Sequence, residues 1–196
     1  MGILLAAAIA YLLGCIPTGW IIVRLLRGVD VRAEGSGNIG ATNVLRTTGR
    51  AAGLATLTVD VAKGALAVLA ASFVAAGHPA APAVAALAVV VGHAFPVTLG
   101  FRGGKGVSSA VGSALALAPL EAAGALAVLA AVVAAGRRVS AGSLAFAAIL
   151  PLFVLIREGP WPRFPFLLAS GALIVVRHRG NIGRLLAGTE SRLGQG

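Results

Sequence analysis

The chain has 196 residues, 58% of them hydrophobic and 11% charged, with a mean hydropathy of +0.95. That leaves too few polar side chains to cover a soluble globule of this size, so the composition implies an integral membrane protein. A net charge of +10 would suit nucleic acid, but only 5% of residues are aromatic and no RNA-binding signature is present; an excess of Lys and Arg on one side of a bilayer explains the charge more simply.

A spanning helix needs about 20 mostly apolar residues. Residues 2–26 meet that requirement and run into Arg24 and Arg27, with Pro17 and Gly19 as an expected kink. The apolar stretch Ile3 to Val23 lacks the basic leader and small-residue cleavage site of a secretory signal, so it reads as a retained first helix. The lone Cys15 within it excludes an internal disulfide or cysteine metal cluster and reads as a packing residue. A polar segment, 27–50, precedes a second span, 51–77, which is apolar except for Asp60 and Lys63. These two stand three apart on one helical face and are expected to form an intramembrane ion pair that also braces the site from beneath.

A third span, 80–99, contains His93, expected to be a hydrogen-bonded structural histidine, and leads into a second polar island, Phe101-Arg102-Gly103-Gly104-Lys105-Gly106. The run 108–136 is too long for one ordinary span; Pro119 and Glu121 divide it into a short helix, 108–118, and a longer one, 120–136. After Arg137-Arg138 come a span over 139–156, a turn from Arg157 to Arg163 with an interfacial Trp161, a short span over 164–176, and a basic tail beginning Arg177-His178-Arg179.

The division at Pro119 places Arg24, Arg27, Arg32, Arg46, Arg50, Arg102, Lys105, Arg137, Arg138, Arg177, Arg179, Arg184 and Arg192 on one side, leaving Arg157 and Arg163 on the other. The positive-inside rule then predicts an all-α integral membrane protein, a single polytopic domain over 1–196 with about seven transmembrane helices, its N-terminus extracytoplasmic and its C-terminus cytoplasmic. Segments 108–118 and 164–176 are the short or partial helices: at ~1.5 Å per residue each falls short of a ~30 Å core, which calls for a partial or tilted helix or a locally thinned bilayer.

The first polar island holds Gly35-Ser36-Gly37-Asn38-Ile39-Gly40-Ala41-Thr42-Asn43, continued through Arg46. Its GxGxxG pattern lacks the preceding strand and the later acidic residue of a dinucleotide site. What remains is an anion site. Gly37, Asn38 and Gly40 allow close backbone approach, Thr42 or Asn43 caps the helix that continues into 51–77, and Arg46 stands one turn inside that helix to clamp the same anion. The plain alternative is a cytosolic loop.

Gly103-Gly104-Lys105-Gly106 is not a Walker A loop, because Leu99 stands where its first glycine belongs and Ser or Thr does not follow Lys105. A lysine flanked by glycines at a helix start is a second phosphate contact or, equally, a positive-inside anchor. In the tail, His178 between two arginines is a base, an anion ligand or part of a snorkelling helix end. No histidine has an aspartate five positions later, which excludes the usual histidine-x4-aspartate acyltransferase motif, and no set of His, Asp, Glu or Cys has metal-ligand spacing.

Taken together, the first island through Val44 and Arg46, the segment Gly92-His93-x-Phe95-Pro96-Val97 with Gly103-Gly104-Lys105-Gly106-Val107, and Arg177-His178-x-x-Asn181-Ile182-x-Arg184-Leu185-x-x-Gly188-x-Glu190 closely resemble the bacterial acyl-phosphate:glycerol-3-phosphate acyltransferase family. The resemblance covers nearly the whole chain, with no departure at the motif positions. It implies transfer of a fatty acyl group from acyl phosphate to the 1-hydroxyl of glycerol 3-phosphate, giving lysophosphatidic acid and phosphate without a cofactor. It also implies a bacterial inner-membrane location with the motifs on the cytoplasmic side, lipid as surroundings, and a functional link to the enzyme that makes acyl phosphate. Ser36, Arg46, Lys105, His178 and Asn181 become the candidate catalytic residues, and Gly37, Asn38, Gly40, Thr42, Asn43, Gly103, Gly104 and Gly106 the substrate-binding ones. Because acyl phosphate is already activated, Ser36 is expected to hydrogen-bond rather than attack. The base is His178 or a phosphate oxygen of the donor, with the oxygen favoured because Arg177 and Arg179 should depress the histidine. The rival class is a transporter for an organic phosphate or other anion. It is disfavoured because the basic and glycine-rich residues lie at one face and the halves show no clear repeat.

Overall fold

The computed structural model describes residues 1–194, and among these every regular element is helical. In chain order the α-helices are α1 (Gly2–Gly14), α2 (Thr18–Arg27), α3 (Ala41–Thr48), α4 (Arg50–Val74), α5 (Ala81–Ala94), α6 (Val107–Leu117), α7 (Pro119–Gly136), α8 (Val139–Glu158), α9 (Phe164–Arg177) and α10 (Arg179–Leu186). Five stretches are long and apolar enough to cross a membrane: Gly2–Arg27, Arg50–Val74, Ala81–Leu99, Pro119–Gly136 and Val139–Glu158. Val107–Leu117 and Phe164–Arg177 are shorter apolar helices, as the sequence reading expected of 108–118 and 164–176.

Burial is inverted relative to a soluble protein. The interior is lined by small residues such as Ala10, Ala83, Ala86, Ala114 and Ala122, while Leu4, Leu12, Leu54, Leu66, Phe73, Leu120 and Ile156 point outward. That is the arrangement a lipid solvent favours: small side chains let backbones approach, and large apolar ones contact acyl chains. At the crossing of α4 and α6 the backbones nearly touch, so a Cβ on Gly112 would overlap the Val61 carbonyl and one on Gly64 would overlap that of Ser109.

Three expected boundaries change. Residues 2–26 are not one kinked helix: α1 ends at Gly14 and α2 begins at Thr18, because Pro17 has no N–H to continue the ladder. The carbonyls freed at this break find other donors, Thr98 Oγ1 at 2.7 Å from Cys15 O and Lys63 Nζ at 2.8 Å from Ile16 O. The first island does not open the long second span; α3 is separate from α4, divided at Gly49. The expected 80–99 span ends its α-helix at Ala94 and resumes as a 3-10 turn, Val97–Leu99.

A second, smaller apolar cluster of Val23, Val31, Ile39, Val44 and Ala52 ties α2, the 28–40 loop, α3 and the start of α4 together. It anchors the first island to the bundle. Arg27 reinforces this, pairing with Glu34 at 2.5 Å and donating to the Thr47 carbonyl at 2.8 Å.

Candidate active site

The first island is organised by Asn43, not by solvent. Its Nδ2 donates to the carbonyls of Asn38 (2.8 Å), Glu34 (3.1 Å) and Val31 (3.3 Å), and its Oδ1 accepts the Ser36 N–H at 2.9 Å. A buried amide with this many partners is a structural clamp. The expectation that Thr42 or Asn43 caps a helix is therefore corrected: Gly40 is the N-cap, no side chain caps it, and Asn43 lies inside α3 with its side chain turned back onto the loop. Asn38 is also occupied, its Oδ1 accepting the Gly40 N–H at 2.8 Å. Ser36, Gly37 and Arg46 are exposed, and Thr42 is half-buried.

The second island is held by backbone on one side and by an arginine on the other. Gly103 and Gly104 donate their N–H groups to the carbonyls of Ala94 (3.2 Å) and His93 (3.0 Å). Their own carbonyls accept from Arg177, Nη2 at 2.8 Å from Gly103 O and Nε at 3.0 Å from Gly104 O. The Arg177 guanidinium also lies 5.2 Å from the centroid of the Phe95 ring. Gly103 and Gly104, expected to bind substrate, thus each have both the N–H and the C=O engaged within the protein. Gly106 caps α6 at φ +84°, a left-handed conformation that glycine takes without a steric penalty.

Between these clamps Lys105 emerges and meets the third island. Its Nζ donates to Asn181 Oδ1 at 2.5 Å, and Asn181 Nδ2 donates to Glu190 Oε1 at 2.6 Å. Glu190 accepts further from Ser140 Oγ (2.7 Å) and pairs with Arg184 (2.7 Å). The result is a continuous line from lysine through amide to carboxylate to guanidinium. Burial pushes Lys105 down to about 8; Glu190 opposes this, and Arg184, Arg46 and Arg177 add to it. Burial alone would raise Glu190, but the hydrogen bonds from Ser140, Asn181 and Arg184 outweigh it and hold the carboxyl below its usual value.

His178 is buried where α9 gives way to α10, with Nδ1 2.8 Å from the Ile174 carbonyl. A carbonyl only accepts, so Nδ1 carries the proton and Nε2 of the neutral ring keeps its lone pair. Burial is the main cause that lowers His178 to about 4, with Lys105 adding to it and the Ile174 bond and Glu190 opposing. The flanking arginines expected to depress it do not act; the physical cause is desolvation.

Lys105, His178 and Asn181 are therefore brought together. Arg46 joins them through charge, being among the groups that depress Lys105. Ser36, Asn38 and Thr42 have no hydrogen bond to the second or third island among the described residues. The candidate site residues read from the sequence left out Arg177, Glu190 and Ser140. Arg177 and Glu190 carried a signal, since both stand in the tail motif that also holds His178 and Asn181. Ser140 carries none. Among the described residues no three His, Cys, Asp or Glu side chains cluster as metal ligands.

A family model described as glycerol-3-phosphate acyltransferase matches residues 4–188. The chain belongs to the glycerol-3-phosphate acyltransferase family. It is 47% identical over 192 residues to glycerol-3-phosphate acyltransferase 2 of Moorella thermoacetica, covering 98% of each chain. Against the glycerol-3-phosphate acyltransferase of Trichlorobacter lovleyi the identity is 50% over 187 residues, covering 93% of each. Its fold matches the crystal structure of PlsY (YgiH), an integral membrane glycerol 3-phosphate acyltransferase, in that protein's glycerol 3-phosphate form: the TM-score is 0.93 at 38% identity, over 99% of this chain and 96% of the other. The lysophosphatidic acid form of PlsY matches with a TM-score of 0.90 at 37% identity, over 100% and 97% of the two chains.

Proposed function

We propose that this acyltransferase moves a fatty acyl group from acyl phosphate to the 1-hydroxyl of glycerol 3-phosphate, at a site formed by Arg46, Lys105, His178 and Asn181 with Ser36 and Thr42 at its rim. The observation that carries the assignment is the hydrogen bond from Lys105 to Asn181, which joins the second and third islands around one half-buried ammonium. The hydroxyl oxygen of glycerol 3-phosphate attacks the acyl carbonyl carbon, the bond from that carbon to the phosphate oxygen breaks, and phosphate leaves with the electron pair. Both substrates and the leaving group carry phosphate charge, so Lys105 and Arg46 stabilise the negative charge that grows on the leaving oxygen. A histidine held near 4 binds a proton poorly at neutral pH. The hydroxyl proton accordingly passes to an oxygen of the departing phosphate, while His178 Nε2 accepts a hydrogen bond that orients the nucleophile.

The same reading takes the chain as one polytopic unit in the bacterial cytoplasmic membrane. It crosses seven times, with the N-terminus outside and both the site and the C-terminus on the cytoplasmic face, where acyl phosphate arrives from the enzyme that makes it. The test is purified protein in detergent, given acyl phosphate and glycerol 3-phosphate and assayed for phosphate and lysophosphatidic acid. Prompt formation of both products is expected, with a loss on the order of 100-fold or more for Lys105→Ala or Arg46→Ala in folded protein. Absence of turnover in a folded, lipid-supplemented sample that instead moves organic phosphate across vesicles would favour the transporter class.

A further inference from the structure

Three ionisable side chains in the helical bundle take no part in the chemistry above. Asp60 and Lys63 on α4 and His93 on α5 are 1%, 4% and 4% exposed at their side chains. Ionisable groups buried at this depth are costly and persist where they do something. The expected ion pair between Asp60 and Lys63 is present, with Nζ 2.7 Å from Oδ1. His93 is not the hydrogen-bonded histidine expected of it: Nδ1 stands 3.7 Å from Asp60 Oδ1, beyond hydrogen-bond distance, and has no hydrogen-bond partner among the described residues.

The other edge of the His93 ring faces the second island. Nε2 lies against Gly104 so closely that a Cβ there would overlap it, and His93 Cδ2 and Cε1 stand 2.8 and 3.2 Å from that Cβ position. The three atoms nearest to that position all belong to the His93 ring. The main chain of the same residue accepts the Gly104 N–H, and Ala94 accepts that of Gly103. The Ile16 carbonyl at the α1–α2 break, Lys63 and Asp60 are joined in series, and the His93 ring lies between Asp60 and the backbone of Gly104. The next residue is Lys105.

We propose that His93, buried beside the Asp60–Lys63 pair, is a positioning residue: its ring is the floor on which the Gly103–Gly104 turn rests, and it thereby sets the Lys105 ammonium against Asn181. Arg177 holds the same turn from the opposite side through both carbonyls, so the lysine is placed by two clamps. This inference rests on Lys105 acting as the phosphate-binding cation. The competing description is an ion pair that does no more than hold α4 against its neighbours.

The two descriptions separate at Lys105 itself. The chain has two lysines, Lys63 and Lys105, and Lys63 is buried, so reductive methylation with 13C-formaldehyde of the folded protein labels Lys105 and the terminal amine. In the wild type the labelled lysine should titrate near 8. In His93→Ala the turn loses its floor, water reaches the ammonium, and the midpoint moves up by about one unit or more toward the ordinary value near 10.4. The same variant should lose about tenfold or more in kcat/KM. Gly104→Ala, which thrusts a methyl group into the ring, should reproduce both effects and carries the test if His93→Ala fails to fold. In the His93→Ala background the methyl group has room, and Gly104→Ala should add less than about twofold.

An unchanged Lys105 midpoint in folded His93→Ala or Gly104→Ala overturns the proposal, whatever happens to thermal stability. So does an equal loss from Gly104→Ala with and without His93. A wild-type enzyme that titrates as described but shows no acyl transfer overturns the functional reading and leaves the placement of Lys105 standing.

Discussion

At the scale of single residues, Lys105 sets the sharpest expectation. The ammonium is the form that holds phosphate, and burial brings it to about 8. Raising the pH through that value removes the proton and with it the charge, so kcat/KM should be flat below about 8 and fall about tenfold per unit above it. Its neighbours give the prediction two opposite signs. Glu190→Gln removes a negative charge that favours the ammonium and should lower the midpoint; Arg184→Ala removes the first of three repelling guanidiniums and should raise it. A pH–rate profile of the three proteins checks this, and midpoints that shift in the same direction in both variants would contradict it. Lys105 was legible through the motif that carries the family resemblance; taken alone, a lysine between glycines at a helix start read equally as a phosphate contact or a positive-inside anchor. Asn43 was misread for an equally physical reason. A polar residue near a helix start resembles a cap, and only the path of the loop shows its amide turned inward onto three carbonyls. Glu190 stood in the quoted tail motif, yet nothing in its spacing revealed that it holds Asn181 and Arg184 from a segment beyond α10.

At the scale of elements, the pattern of apolar runs and arginines was enough to locate the helices, and Pro119 marked the boundary between α6 and α7. Their crossings were not legible, because glycine and alanine recur on every face and give no period to read. The structure shows which glycines matter. Gly112 faces the Val61 carbonyl with no room for a methyl group, whereas Gly136 at the end of α7 has open space. Gly112→Ala should therefore destabilise the bundle by about 1–3 kcal/mol, the usual cost of overpacking. At Gly136 the same change meets nothing and stays within about 0.5 kcal/mol, as a surface substitution does. Thermal unfolding in detergent separates them, and a stabilised Gly112→Ala would show that α4 and α6 are held less closely than described. The break at Pro17 follows the same logic of backbone bookkeeping: freed carbonyls in a membrane need donors, and Thr98 and Lys63 supply them.

At the scale of the molecule, the shortness of α6 becomes intelligible. Asp60 lies ten residues into α4, about 15 Å from Arg50 at ~1.5 Å per residue. It neighbours His93, whose carbonyl holds Gly104, so α6 starts well inside the level at which α4 starts. At its far end Ala118 is buried, and Glu121 in the first turn of α7 pairs with Arg157 in the last turn of α8 at 3.1 Å. A helix that begins at that depth has less distance left to cover with its 11 residues. The proposed seven crossings are open to a direct check in a Cys15→Ala background. A membrane-impermeant maleimide applied to intact cells should label His78→Cys and Trp161→Cys. Arg50→Cys, Arg137→Cys and Leu186→Cys should react only after the membrane is opened. The decisive position is Arg137, because a chain that fails to cross at α6 exposes the α7–α8 turn outside. That outcome would strand Ser140, at the start of α8, across the membrane from Lys105. It is incompatible with the line of hydrogen bonds that runs from Ser140 through Glu190 and Asn181 to the lysine.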